Sequence, residues 1–263
     1  MRRYAALLWV QLRASLATAM QYRVDFLIEG AMSLYWLAWN LVPLLILFDQ
    51  RELIAGQWTF SGALVVIGWF TVLRGLLEGA INPSLVDVVG RIRTGSFDYV
   101  LLKPADTQFL VSTAQFAPWK LVDVVGGIGL VVYAFWRMDR TPALADVGLA
   151  LLLLLCAALV LYSLWILLVS AAFWVVRLDN LTYLFSAVFD AARWPVQVFK
   201  GAWRVLFTVI IPLALMTTYP AMAMLGTLDA RTAALSVAGA LVFAALARTL
   251  WTLAIRNYTS ASS

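Results

Sequence analysis

The sequence has no histidine and a single cysteine, Cys156. Without histidine there is no imidazole metal ligand, no Ser-His-Asp triad and no histidine proton relay. The lone cysteine has no disulfide partner within the chain, and in its run LLLLLCAALVL a thiol packs as a small apolar group. Charge is scarce too. Asp, Glu, Lys and Arg make up 13% of the 263 residues, about half the share usual in a soluble domain. No G-x-x-x-x-G-K-[ST] stretch is present, which excludes ATP binding by a phosphate loop. Gly126-Gly127-Ile128-Gly129 is too short for one and lies in an apolar run, where small residues serve close helix packing. No internal repeat or low-complexity linker divides the chain, and no short apolar core followed by a cleavage site marks a signal peptide.

What is present is apolar: 63% of the residues, in continuous runs. A membrane β-barrel alternates polar and apolar residues, whereas a helical span needs about 20 apolar residues to cross about 30 Å of hydrocarbon. The expected class is an all-α integral membrane protein with six transmembrane helices and an N-terminal interfacial helix. That surface helix is placed at 1–23, with Leu8, Leu12, Leu16 and Ala19 on one face, Gln11, Ser15 and Thr18 on another, and Arg2, Arg3, Arg13 and Arg23 in reach of lipid phosphates. Its alternative is a targeting or topology signal. Spans follow at about Asp25–Phe48, Phe60–Ile81, Phe109–Trp136, Val147–Val176 and Thr232–Ile255. The fifth span is either 205–226 or 181–199; in the second case 200–227 is a re-entrant hairpin. Both choices put the termini on one side with Arg2, Arg3, Arg13, Arg23, Arg91, Arg93, Lys103, Arg177 and Arg256. By the positive-inside rule that side is cytosolic, and the rule accounts for the net charge of +5 without nucleic acid.

Ionisable residues within spans are few. Arg74 and Glu78 stand at i, i+4 and read as a structural pair, and Lys120 and Asp123 form an i, i+3 pair near the same face. Asp25 and Glu29 lie one turn apart at the start of the first span. The longest hydrophilic stretch in the first half of the chain is 82–104, NPSLVDVVGRIRTGSFDYVLLKP, between the second and third spans. It carries Asp87, Arg91, Arg93, Asp98 and Lys103, glycines at 90 and 95 that allow tight reversals, Phe97 as an apolar plug, and Pro104 at its end. Arg91 and Arg93 are placed to pair with Asp98 across the joint.

Within that stretch, Gly95-Ser-Phe97-Asp98-Tyr-Val-Leu101-Leu102-Lys103-Pro104 resembles the G-x-[FL]-D-x-x-L-x-[KR]-P stretch of small bacterial ABC-2 type permeases, the membrane subunits of ATP-binding-cassette exporters. Arg193-Trp-Pro195, Ile211-Pro212 and Tyr219-Pro220-Ala221 are similar to a second pattern of that branch, and Tyr258-Thr-Ser-Ala261-Ser to its tail. The resemblance implies one transmembrane domain over 1–263 and a cytosolic coupling segment at 82–107 that docks on an ATPase. It also implies a re-entrant hairpin at 200–227. The site residues it implies are Asp87, Gly90, Arg91, Arg93, Gly95, Phe97, Asp98, Lys103 and Pro104. The implied partners are two copies of an ABC-type ATPase, a second permease chain, homologous or identical, and membrane lipid. ATP and Mg would be bound by the ATPase, with no cofactor on this chain, and the location would be a bacterial inner membrane. The rival is an ion-coupled transporter using Glu78, Asp123 or Asp190.

Overall fold

The computed structural model describes residues 2–55, 58–174 and 179–258. The described residues are helical, joined by turns and one isolated bridge between Ile54 and Trp58. Helix α1 (Arg2–Gln21) bends at Tyr22 into α2 (Arg23–Gln50). The side of α1 turned toward the protein is mixed. Leu8, Leu12 and Ala19 face inward, but so do Gln11 and Ser15, while Leu16 is exposed.

Helix α3 (Phe60–Leu76) opens with Thr59, whose hydroxyl accepts from the Gly62 N–H, an N-cap that satisfies one of the orphan donors. It is the core of the molecule, with 14 of its 17 residues buried. It crosses α7 (Leu121–Arg137) almost backbone to backbone. A Cβ on Gly68 would come within 2.6 Å of Val131 and 2.8 Å of the Gly127 carbonyl, and a Cβ on Gly127 within 2.6 Å of the Gly68 carbonyl. Gly127 therefore does the packing work expected of the glycine-rich run, while Gly129 has open space around it.

The chain does not leave the helix at the end of the second span. A π-turn over Leu77–Ile81 leads into α4 (Asn82–Thr94). Pro83 has no N–H to give the carbonyl of Gly79, which an α-helix would require. The π-turn absorbs the misfit, with the Asn82 N–H donating to Leu77, and the Gly79 carbonyl accepts instead from the Ala117 N–H at 2.8 Å. Ser84 completes the stitch: its hydroxyl donates to the Gln115 carbonyl and accepts from the Gln115 N–H. The short helices α5 (Asp98–Leu101) and α6 (Thr107–Ser112) follow, and a 3-10 turn at Pro118–Lys120 starts α7. The third span therefore begins at Pro118, later than hydropathy suggests.

Helix α8 (Leu144–Ala171) is the second axis of the fold. Along it lies α12 (Ala230–Arg256), which turns Ala233, Ala240, Ala247 and Ala254 inward at seven-residue spacing. Small residues on one stripe let two apolar helices approach closely. Between these two helices come α9 (Asp179–Asp190), two 3-10 turns at Ala191–Arg193 and Val196–Val198, and the short helices α10 (Ala202–Val205) and α11 (Tyr219–Met224) with their π-turns.

Five helices among the described residues are long and apolar enough to cross a membrane; a sixth arises if the pair Ala202–Ile210 and Ala214–Met224, bent by 68°, is counted as one. Over 181–199 the α-helix ends at Asp190, about 18 Å after it starts, and the chain continues through the two 3-10 turns. Over 205–226 the chain is bent at Pro212.

Candidate functional site

The segment 82–107 has an outer and an inner side. On α4, Val86, Asp87, Arg93 and Thr94 are exposed, with Gly90 between them; the spacing puts them on one helical face. A Cβ on Gly90 would meet nothing within 4 Å, so no neighbour within the chain requires glycine there. Gly90 lies inside the helix and makes no reversal. Gly95 does: its φ of +74° stops α4 in the left-handed conformation that glycine adopts at no cost. Arg91 pairs with Asp87 on its own helix at 2.7 Å, not with Asp98 across the joint. Beyond Gly95, Tyr99 and Leu102 are among the most exposed large apolar side chains of the protein, at 72% and 80%, followed by exposed Lys103 and Pro104. Asp98 is half-buried.

Phe97 goes the other way. It is fully buried, so the plug fills a pocket of this chain and is not offered outward. Its ring lies edge-on to Phe173 at 5.4 Å, Tyr258 at 5.6 Å and Trp251 at 6.3 Å. Phe173 and Trp251 also meet each other, at 5.9 Å. Four aromatic side chains from the insert, the end of α8, α12 and the tail thus form one knot, and such edge-to-face pairs add about 1 kcal/mol each beyond burial. A Phe97→Ala change would hollow this core, so it is not a clean surface probe. The rest of the tail pattern, residues 259–262, lies outside the described residues, as does Arg177.

A second tie holds the far end of the segment. Asp106 caps α6 by accepting from the Phe109 N–H and takes a two-pronged contact from Arg248 of α12, at 2.6 and 3.3 Å. Arg248 also donates to Gln108, which donates to Tyr162 of α8. Tyr4 of α1 accepts from the Asp106 N–H and packs edge-on against Phe109. The guanidinium beside it, more than the loss of water around it, holds the Asp106 carboxyl below its ordinary range. Sequence reading missed this tie. Its signal was Arg248 itself, a single cation in the middle of an otherwise apolar run.

The two charge pairs of the spans prove to be one cluster. Glu78 accepts from Arg74 at 2.8 Å and from Lys120 at 2.5 Å; Lys120 also lies 3.7 Å from Asp123, which accepts from Ser33 of α2. The cluster thereby ties α2, α3 and α7 together. Arg193 of the Arg-Trp-Pro pattern donates to Asn40 of α2 and lies 3.6 Å from Asp190. Its turn is fixed by Thr217 and Thr218, which bond the Ala192 carbonyl and the Val196 N–H.

Comparison with curated proteins and with solved structures gives no match. The sequence profile described as "ABC-2 family transporter protein" matches residues 34–262, taking in most of α2 and every later helix. This family supplies the membrane components of ABC transporters, which associate with an ABC ATPase and are not themselves catalytic. The chain belongs to the ABC-2 family of transporter membrane proteins and is a multi-pass permease component of an ABC transporter.

Proposed function

We propose that this chain is the permease subunit of an exporter in a bacterial inner membrane. A separate cytosolic ATPase moves it by pressing on 82–107. Both termini are cytosolic, 200–227 is a re-entrant hairpin near the outer face, and two permease chains with two ATPases make the working unit. ATP and Mg belong to the ATPase. The observation that carries this reading is the two-sidedness of the insert. Its outer side offers Tyr99, Leu102, Lys103 and the face around Gly90, while its inner side is locked to α8 and α12 by Phe97 and Asp106. A push on such a segment reaches the spans without loss in a slack loop. A bound partner shifts a two-state element only through contacts that differ between the states, and a segment fixed at both ends supplies them.

The contact anchors are then Tyr99 and Leu102. Replacing both by Ala is expected to weaken ATPase binding about thirtyfold, from a loss of about 2 kcal/mol at an interface hot spot. Membrane yield should not change, because both side chains point away from the core. Arg140→Ala, in the loop before α8, serves as the control. Binding and substrate-stimulated hydrolysis are measured in reconstituted complexes. A double variant that assembles and transports like the control would refute the assignment.

A further inference from the structure

The bend between α1 and α2 leaves a cleft of about 640 Å³, closed on its third side by the connection ahead of α7. That volume falls within the range of small-molecule sites, about 300–1,000 Å³. Asp25 and Glu29 of α2 line it, one turn apart and exposed. Among the described residues, neither carboxylate is engaged by a hydrogen bond or an ion pair. The nearest bases in sequence, Arg13 and Arg23, are not part of the lining, and Lys120 is committed to Glu78 and Asp123. The chain therefore carries a negative recess on a molecule of net charge +5. Four aromatic side chains share the lining: Tyr22, Phe26, Phe116 and Trp119.

Carboxylates that share a lining with four aromatic side chains select one chemistry. Ring faces attract cations, most strongly weakly hydrated organic ones. Calcium takes six to eight oxygen ligands, whereas the two carboxylates here stand among aromatic side chains. We propose that the cleft binds an organic ammonium group with an apolar body, taken from the level of the lipid headgroups at the start of the first span. The shared chemistry admits two sources, a free amphiphilic amine or the amine headgroup of a membrane lipid. The site lies within this one chain, so it stands apart from the ATPase and from the direction of transport.

The test uses the full chain in nanodiscs of digalactosyldiacylglycerol, a lipid with neither charge nor amine, and the fluorescent quaternary ammonium ethidium as probe. Saturable binding is expected. Asp25→Asn and Glu29→Gln should each weaken it about fivefold, the effect of one charge about 4 Å away in a near-aqueous setting. Trp119→Leu should weaken it about threefold through the lost ring face, and Asp49→Asn, at the far end of α2, should leave it unchanged. Competition by added phosphatidylethanolamine would identify the lipid headgroup as occupant; its absence would identify a free amine. Binding that does not saturate, or that is equal in wild type and both carboxylate variants, overturns the proposal.

Discussion

Helices α2 and α3 are nearly equal in composition and opposite in situation. Their most apolar windows have mean hydropathies of 1.7 and 1.8, yet 17% of the first is buried within the protein and 83% of the second. Apolar content reports that a segment leaves water; it does not report whether protein or lipid receives it. The difference lies in how each helix is held. Helix α3 is held by backbone contact at its glycines, and α2 by two polar ties, Ser33 to Asp123 and Asn40 to Arg193. Helix α12, with only 22% of its window buried, has both an alanine stripe and the tie from Arg248 to Asp106.

The sharpest way to break this comparison is to place the same side chain at a glycine of each helix. Gly68→Leu in α3 must displace Val131 and the Gly127 backbone and is expected to cost about 3 kcal/mol or more. Gly30→Leu in α2, where the nearest atom to a new Cβ is 3.8 Å away, should cost under about 1 kcal/mol. Thermal unfolding of the purified protein reads both. Equal losses would mean that α3 and α7 do not cross at these glycines.

A smaller loss is expected where the core meets its polar ties. Glu78→Gln leaves Arg74 and Lys120 sharing a cluster without its central carboxylate. The full cost of breaking a buried pair is about 3–5 kcal/mol. These side chains keep about a quarter of their exposure, so about 2 kcal/mol is expected in denaturant titration. Glu78→Asp should recover part of it.

The smallest effect sharpens the contrast on the periphery. The folded pKa of Asp106 lies below its unfolded value. The carboxylate therefore stabilises the fold above about pH 4, and that contribution is lost as pH falls through the lower folded value. A melting curve taken between pH 3 and pH 7 should fall more steeply at its acid end for wild type than for Asp106→Asn. Parallel curves would show that the tie to Arg248 contributes no stability.

Much of the architecture was legible because hydrocarbon imposes length. The first and last spans were placed at Asp25–Phe48 and Thr232–Ile255, within two residues of each end of the observed helices. The spacing of Arg74 to Glu78 and of Lys120 to Asp123 revealed each pair, but their union depends on two helices crossing at glycines, which spacing along the chain does not encode. The continuity of the second span into 82–94 was hidden by Pro83, a residue that breaks helices unless a π-turn and a foreign donor compensate, and Ala117 is that donor. Phe97 looked like a surface plug because the rings that bury it come from remote parts of the chain. The region 181–226 was legible as an ambiguity, because Pro212 and Pro220 interrupt its second apolar run.

The unbroken path from Phe60 to Thr94 has a mechanical consequence. Its 35 residues make a rod of about 52 Å, longer than the roughly 30 Å of hydrocarbon it crosses. It is pressed on α7 at two levels, Gly68 on Gly127 and Gly75 on the Lys120 carbonyl, and is stitched again from Gly79 to Ala117 and from Ser84 to Gln115. A rod held at so many levels has no single pivot. A displacement at its Gly95 end carries α7 along, and the two helices move as one body.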